Sequence, residues 1–425
     1  MYIRPRVGVV PIGKLTSDDI KQDFEEIKNQ VAGAQFESIV CDPVYDEVDV
    51  MNAAEKMRKE DLDLLLLVPL QGGSAQQQVL AAEACGIFTL IWSLPPRFSM
   101  PSGAIAYGAL VERGAKIKYV FGKAGAEVTS KIEDLARVAF AINRLRRSRI
   151  GMVGRVLPNM VASDFDGNIL RSRLGPSVVT VNIADLQEAL KSIEDASLER
   201  AVNTLGKFTV NAPADRVKDA MRMHLAVKKI VEERRLDAIA MDCWTELLRL
   251  FKITPCMGYI EDAYTIGCEG DAVGAALLLL IRYLTDKPAV LLDVFSLDGD
   301  VLVMGGMCSA SASIAGSSDV VVCDMAVPPM FQMKERVVAV RPAISWDEVT
   351  LLRISGKNID RVHMVHGKVV AADRRDFVEL KIRLSGDIEE FLGNLHGHLY
   401  AVVPGNVRKR MILLCEWLGL RLIES

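Results

Sequence analysis

The sequence predicts an α/β protein in which two Rossmann-like, parallel-sheet domains precede a β-rich, antiparallel and barrel-like C-terminal domain. Two series of alternating strand-like and helix-like segments indicate the parallel sheets, and a later series of β segments separated by turns indicates the barrel. The length of 425 residues exceeds one ordinary hydrophobic core. We expect an N-terminal domain at 1–147, a central domain at 148–318 and a C-terminal domain at 319–425.

The N-terminal series begins with short apolar runs that alternate with helix-like segments. Residues 62–68 read LDLLLLV, and such a nearly continuous apolar run is typical of a parallel strand buried on both faces. Ser17 is a good N-cap for the helix that follows it. This alternation predicts a parallel sheet with helices on both faces. The expected strands are 7–11, 36–40, 62–68 and 88–92, and the expected helices are 18–31, 50–59, 105–114 and 131–146.

The central and C-terminal segments differ in what separates their strands. A long, charged helix at 214–234 lies within the central series. Beyond residue 318, turn residues such as SGKN, HGK and SGD replace the helices, which predicts an antiparallel sheet or barrel. The expected strands of the central series are 149–153, 180–183, 238–241 and 290–294, and those of the C-terminal series are 320–323, 337–340, 350–355, 361–371, 377–383 and 398–403.

Composition and charge narrow the classes of function. The net charge is −4, and no basic run is long enough to indicate nucleic-acid binding. The most apolar stretch, at 272–281, is shorter than the ~20 residues of a membrane span, and the first residues lack the pattern of a signal peptide. The eight cysteines show no CxxC spacing, so we expect reduced thiols rather than a zinc site. We therefore expect a cytoplasmic protein with a small-molecule partner and neither nucleic acid nor membrane.

Glu269 and Asp293 are the strongest candidates for a functional site. They stand at the two ends of one unit, in which a helix of ~20 Å leads away and a strand of comparable length leads back. Both carboxylates can thus reach the carboxyl end of the strand, where ligands bind in open α/β sheets. The helix macrodipole accounts for the nearby Asp271, whereas an aspartate that ends an apolar strand needs a partner if it is buried. Two such carboxylates predict a divalent-metal site or an acid/base pair.

Two further groups of residues are candidates for ligand contacts. His396 and His398 form an HGH sequence whose spacing places both imidazoles on one face of a strand, although purely structural roles remain an alternative. Gln71 and Gly72 open a glycine-rich turn after the strand at 62–68. Such a turn can hold an anion or substrate at the start of the next helix, or it can be a plain tight turn. We predict substrate contacts for Gln71, Gly72 and His396.

Two segments resemble motifs of a known superfamily. Residues 267–294, GCEGDAVGAALLLLIRYLTDKPAVLLDV, look like the metal-site segment of the L-fucose isomerase and L-arabinose isomerase superfamily. Residues 394–406, NLHGHLYAVVPGN, resemble its C-terminal histidine motif. The resemblance implies that Glu269, Asp293 and His398 bind a divalent metal, which we expect to be Mn²⁺ from the oxygen and nitrogen donors. It also implies that the two carboxylates act as acid and base.

The same resemblance implies an activity and an assembly. It implies an aldose–ketose isomerase that converts a monosaccharide through an ene-diol, and a homo-oligomer that is a hexamer or is built on trimers. The chain departs from the superfamily pattern at Gly397, where asparagine or histidine is common, and in residues 303–311, which lack a His-Cys-Gly element. These departures leave the identity of the sugar open.

Two alternative functions remain open from the sequence. One is a non-catalytic sugar-binding protein, because two α/β lobes around a cleft are also the plan of periplasmic sugar receptors. The other is a member of the superfamily that acts on a phosphorylated, sulfonated or otherwise modified sugar, because the aromatic motif that covers the sugar in fucose isomerases is not visible here.

Overall fold

The computed structural model describes residues 4–95, 97–261, 263–306, 310–315, 319–355 and 357–425. The chain divides into two compact units, residues 1–143 and residues 144–425. The division into three domains that the sequence suggests remains a prediction.

The first unit is built on a five-stranded parallel sheet with strand order β2-β1-β3-β4-β5. All residues of β3 are buried, which explains why this strand is apolar throughout. The predicted parallel sheet is therefore confirmed, although the sequence reading misses the edge strand β5. The elements are β1 (Arg6–Ile12), α1 (Asp18–Ala32), β2 (Glu37–Val40), α2 (Glu47–Arg58), β3 (Leu64–Pro69), α3 (Ala75–Cys85), β4 (Thr89–Ser93), α4 (Ser99–Glu112), β5 (Ile117–Phe121) and α5 (Ala126–Arg147).

The second unit begins with alternating strands and helices and ends with strands joined mainly by turns. Its elements are β6 (Arg149–Val153), α6 (Gly167–Arg173), β7 (Ser177–Val181), α7 (Ile183–Ser192), α8 (Asp195–Asn203), β8 (Thr209–Asn211), α9 (Ala214–Glu233), β9 (Ala238–Met241), α10 (Leu248–Phe251), β10 (Thr265–Gly267), α11 (Ala272–Thr285), β11 (Val290–Asp298), β12 (Val301–Gly306), β13 (Val320–Ala326), β14 (Arg336–Pro342), β15 (Glu348–Ser355), β16 (Arg361–Asp373), β17 (Val378–Leu384), α12 (Ile388–Gly393), β18 (Leu399–Pro404), α13 (Arg408–Leu418) and β19 (Arg421–Glu424).

These strands form a second parallel sheet, a barrel and a small additional sheet. The parallel sheet has the order β10-β9-β6-β7. The barrel runs β15-β18-β11-β12-β17-β16, and pairing of β15 with β16 closes the ring, while β19 adds to β16. The third sheet has the order β14-β13-β8. The predicted fold class, two parallel-sheet parts and an antiparallel barrel-like part, is confirmed.

The position of β11 corrects one prediction from the sequence. Residues 290–294 were expected in the central parallel sheet, but β11 pairs antiparallel with both β18 and β12 in the barrel. The pairing follows from the tight turn after β11, in which Asp298 lies opposite Val301 and Gly299 has φ 60°. A two-residue hairpin joins only antiparallel strands, and glycine tolerates this positive φ. Alternating apolar residues of β11 and its neighbours, among them Leu292, Leu302 and Val402, fill the barrel core.

Two findings concern the cysteines and the hydrophobicity of the residues that the structure describes. No described cysteine takes part in a disulfide bond. Among the described residues, no helix has both the length and the apolar character needed to cross a lipid bilayer.

Candidate active site

The three residues that the superfamily resemblance singles out converge in the second unit. The imidazole Nε2 of His398 lies 3.4 Å from Oδ1 of Asp293 and 3.9 Å from Oε2 of Glu269. The two carboxylate side chains are largely buried, with 13% of Asp293 and 6% of Glu269 exposed, whereas the imidazole is 41% exposed. The trio, as we call Glu269, Asp293 and His398, therefore has its carboxylates inside and its imidazole open to solvent.

Glu269 is held by a strained turn between β10 and α11. Its φ is 59°, in the left-handed region that residues with a side chain rarely adopt. The next residue, Gly270, has φ 78°, and a Cβ there would lie 2.3 Å from the carbonyl oxygen of Arg155. The amide of Leu157 donates to the carbonyl oxygen of Glu269 at 2.9 Å, so the turn is fixed from outside. Strain of this kind is typical of functional positions.

Strand pairing places Asp293 beside His398. In the antiparallel pair of β11 and β18, Asp293 lies opposite Leu399, and the amide of Val294 donates to the carbonyl oxygen of His398 at 2.9 Å. On its other side β11 has a register shift between Val294 and Ser296, a bulge of the kind often found next to active sites. The carboxylate and the imidazole are thus neighbours because β11 pairs with β18 and with the residue that precedes it.

Burial and neighbouring charges shift the pKa values of Asp293 and His398 in the trio. Burial and, to a smaller extent, the negative charge of Glu269 raise the pKa of Asp293 to about 7, against the opposing effect of His398. The pKa of His398 lies above its ordinary value because of its interaction with the carboxylate of Glu269, against the opposing effect of burial, with the charge of Asp293 also raising it. Two carboxylates and one imidazole in a desolvated place favour the uptake of positive charge, as a proton or as a cation.

The side chains of the trio contact one another directly and are not arranged around a central position for a metal ion. Within the described residues, no three or more His, Cys, Asp or Glu side chains are already arranged to hold a metal ion. The contacts inside the trio are instead direct approaches of the imidazole nitrogen to carboxylate oxygens.

Asp271 has the structural role that the sequence suggests. Its Oδ1 accepts from the amide of Gly274 at 2.7 Å and so caps α11, and its Oδ2 accepts from the hydroxyl of Ser163 at 3.1 Å. Asp271 is fully buried, and Arg353 lies 3.4 Å from the same Oδ2. It therefore anchors the turn that carries Glu269.

His396 does not share a strand face with His398. The strand β18 begins only at Leu399, and Gly397 has φ 134°, which turns the backbone between the two histidines. The ring of His396 meets His363 edge-on, with 5.9 Å between the centroids. The expectation of one shared face is wrong for this reason, whereas a substrate contact by His396 remains a prediction.

Gln71 and Gly72 lie in the first unit, where β3 ends and before α3 begins. The amide of Gly72 donates to the carbonyl oxygen of Arg97 at 2.7 Å, and a Cβ at Gly72 would lie 2.8 Å from that of Phe98. Ser74 closes the turn through its contact with the hydroxyl of Ser102 at 3.1 Å. Close packing thus accounts for glycine at this position, and the proposed substrate contacts of Gln71 and Gly72 remain predictions.

Arg353 and Ser163 are the residues near the trio that sequence reasoning overlooks. Both are buried and both contact Asp271. Arg353 carried one signal, since it is a charged residue inside the apolar run TLLRIS, where a buried charge requires partners. Ser163 carried none, because a serine in a loop is ordinary.

Comparisons with known proteins agree with the resemblance. No family model matches the chain. The sulfoquinovose isomerase of Priestia megaterium is 27% identical over 326 residues, which cover 71% of this chain and 70% of that protein. A sulfoquinovose isomerase of Alkalicoccus urumqiensis is 24% identical over 39% of each chain. The L-arabinose isomerase of Thermotoga petrophila is 25% identical over 37% of this chain and 32% of its own length.

Solved structures add no argument about function. A periplasmic solute-binding protein from Actinobacillus succinogenes with bound D-allose aligns at 12% identity, over 67% of this chain and 93% of that chain, with a TM-score of 0.20. That score is too low to support a shared fold. The sequence relatives, by contrast, are all named as sugar isomerases, which are intramolecular oxidoreductases, and this chain is an enzyme of that class. The matches to sulfoquinovose isomerases and to an L-arabinose isomerase support the superfamily of L-arabinose and L-fucose isomerase-like proteins.

Proposed function

We propose that this enzyme is a metal-dependent aldose–ketose isomerase that converts a monosaccharide through an ene-diol. The observation that carries the proposal is the position of the His398 imidazole, 3.4 Å from Asp293 and 3.9 Å from Glu269. The names of the relatives support the reaction class. They weigh against the alternative of a non-catalytic sugar-binding protein.

The donor set fits a divalent ion such as Mn²⁺. Glu269 and Asp293 offer oxygen and His398 offers nitrogen, which together suit that ion. Two ligands at ~2.1 Å from one ion lie ~3–4 Å apart, and both separations measured from His398 lie in that range. A bound ion would polarise the carbonyl and hydroxyl oxygens of an open-chain sugar.

The carboxylates of the trio would carry out the proton transfers. One carboxylate takes the proton from C2 of the aldose and returns it to C1, while the other passes the hydroxyl proton from O2 to O1. Substrate and product have the same formula, so the reaction needs no co-substrate.

A sulfonated sugar is the first substrate to test. The relatives that align over about 70% of their length are named sulfoquinovose isomerases, whereas the L-arabinose isomerase aligns over 32% of its length. An unmodified aldose is the second candidate.

The test uses the full chain after EDTA treatment and after reconstitution with Mn²⁺. Sulfoquinovose and a panel of aldoses are incubated in D₂O, and NMR follows both isomerisation and deuterium uptake at C1 and C2. We expect turnover only with the metal, and its loss in Glu269→Gln and Asp293→Asn. The variant that lacks the carboxylate acting on the C–H proton should also lose deuterium uptake at C1 and C2. Undiminished turnover in EDTA, or in Glu269→Gln, would refute the proposal.

We further propose a homo-oligomer, hexameric or trimer-based, and a cytoplasmic location. Both rest on the superfamily resemblance and the sequence pattern. Light scattering coupled to size-exclusion chromatography measures the assembly, and a monomer would contradict the first of these proposals.

A further inference from the structure

Arg353 is a buried cation whose donors reach the two segments that carry the trio. It lies in β15 and is 4% exposed. Its guanidinium donates to the segment around His398 and also reaches Asp271 and the loop of Ser163. A buried charge is tolerated only when its hydrogen-bonding groups are satisfied, so this arrangement constrains its neighbours closely.

The first set of contacts brackets His398. Nε of Arg353 donates to the carbonyl oxygen of His396 at 3.0 Å, and Nη1 donates to that of Leu399 at 2.7 Å. Between them, a Cβ on Gly397 would lie 2.7 Å from Nε. The glycine of the HGH sequence is therefore the place where the guanidinium meets the backbone. Its φ of 134° gives a second reason for glycine.

The second set of contacts leads to Glu269. Nη1 of Arg353 lies 3.4 Å from Oδ2 of Asp271, which also accepts from Ser163. Nη2 donates to the Ser163 hydroxyl at 3.1 Å. Asp271 follows Glu269 by two residues and closes the same turn, since its amide donates to the carbonyl oxygen of Cys268 at 3.0 Å. One guanidinium thus joins the turn of Glu269 to the loop of His398.

We infer that Arg353 is a positioning residue that fixes the distance between Glu269 and His398, and thereby the affinity of the trio for its metal ion. The inference rests on the proposed function. Strand pairing already sets Asp293 against His398, but Glu269 lies in the turn that follows β10, a strand of the parallel sheet. Among the described contacts, those of Arg353 with Asp271, Ser163 and the backbone around His398 connect the turn of Glu269 to the loop of His398.

Arg341 provides a matched control in the same unit. It is also 4% exposed and also lies in a strand, β14, and its guanidinium donates to the carbonyl oxygens of Arg374 and Arg375. It has no described contact with the trio. Arg341→Lys therefore tests the general cost of changing a buried arginine.

The experiment compares Arg353→Lys with Arg341→Lys in the full chain. EPR titration of free Mn²⁺ measures the dissociation constant, and steady-state kinetics separates kcat from KM. We expect Arg353→Lys to weaken Mn²⁺ binding by about 10–100-fold and to lower kcat more than it changes KM, because ligand orientation depends on such supporting contacts. Arg341→Lys should leave Mn²⁺ affinity within about 2-fold of the wild type.

Ser163→Ala keeps the inference testable if Arg353→Lys fails to fold. It removes one hydroxyl that contacts both Arg353 and Asp271, and we expect a smaller loss of Mn²⁺ affinity in the same titration. Wild-type affinity in Arg353→Lys, or in Ser163→Ala when Arg353→Lys does not fold, overturns the inference alone. Equal losses in the Arg353 and Arg341 variants overturn it too. A wild type that binds Mn²⁺ no better than Glu269→Gln overturns the proposed function and the inference with it.

Discussion

The imidazole of His398 lies 3.4 Å from the carboxylate of Asp293 because β11 pairs antiparallel with β18, the strand that begins directly after His398. This relationship makes the barrel, rather than the edge of a parallel sheet, the scaffold for two of the three residues. Glu269 reaches them from the turn after β10, at the carboxyl end of the parallel sheet. The site thus forms where two kinds of sheet meet within the second unit.

Replacement of His398 by asparagine should abolish most of the isomerase activity without unfolding the enzyme. The imidazole is 41% exposed and contributes little to the core, but it is the only nitrogen donor of the trio. We expect kcat/KM to fall on the order of 10²–10⁴-fold, with Tm nearly unchanged. Steady-state kinetics with added Mn²⁺ and differential scanning calorimetry measure the two quantities.

His366→Asn is the matched control for this prediction. His366 also contacts a carboxylate of the barrel, that of Glu348, but it lies outside the trio. We expect it to keep wild-type kinetics. Equal losses of activity in the two histidine variants would contradict the assignment of His398.

The backbone strain at Glu269 should be measurable as a difference in stability between the glycine and alanine variants at this position. At φ 59° a side chain is disfavoured and glycine is not. We expect Glu269→Gly to be more stable than Glu269→Ala by about 1 kcal/mol in the free energy of unfolding, while both lack activity. Urea unfolding followed by circular dichroism makes the comparison, and a more stable alanine variant would show that the turn is not strained.

Local sequence patterns predicted the strands and helices of this protein better than they predicted which strands pair in the sheets. The apolar run of β3 and the turns between the C-terminal strands determine local structure, so the fold class was correctly predicted. The partner of β11 depends instead on the hairpin at Gly299. That signal is present in the sequence, but it competes with the helix–strand alternation of the preceding segment.

The candidate site was predictable only where the chain carries a motif. Glu269, Asp293 and His398 stand in segments that resemble a known superfamily, and the structure brings them together. The role of Arg353 was not predictable, because its partners are mainly backbone oxygens and the sequence does not identify them. The turn at Gly397 likewise separates two histidines that a regular strand would align.

Mn²⁺ should stabilise the wild type and should not stabilise a variant without the two carboxylates. A ligand that binds only the folded chain stabilises it by about 2.7 kcal/mol at a free concentration 100 times its dissociation constant. We expect this to raise Tm by roughly 5 °C in a unit of this size. The double variant Glu269→Gln/Asp293→Asn should show no such rise in calorimetry with and without EDTA. An equal rise in both proteins would place the metal elsewhere.

His363 should make the second unit less stable as the pH falls from about 6.5 to about 4. Its ring is fully buried between Tyr400, Ser425 and His396, and burial, aided by the charge of His396, lowers its pKa to about 4. Arg353 is its cross-strand neighbour and adds a further positive charge nearby. A folded-state pKa below the unfolded value means that protons bind the unfolded chain first, so stability is complete above pH 6.5 and declines below it.

The variant His363→Gln isolates this contribution. Glutamine retains hydrogen-bonding groups but does not titrate. Between pH 7 and pH 4, the free energy of unfolding of the variant should therefore fall by up to about 3 kcal/mol less than that of the wild type. Urea unfolding across that range measures the difference. Parallel curves for His363→Gln and the wild type would show that His363 is not the group whose protonation weakens the fold.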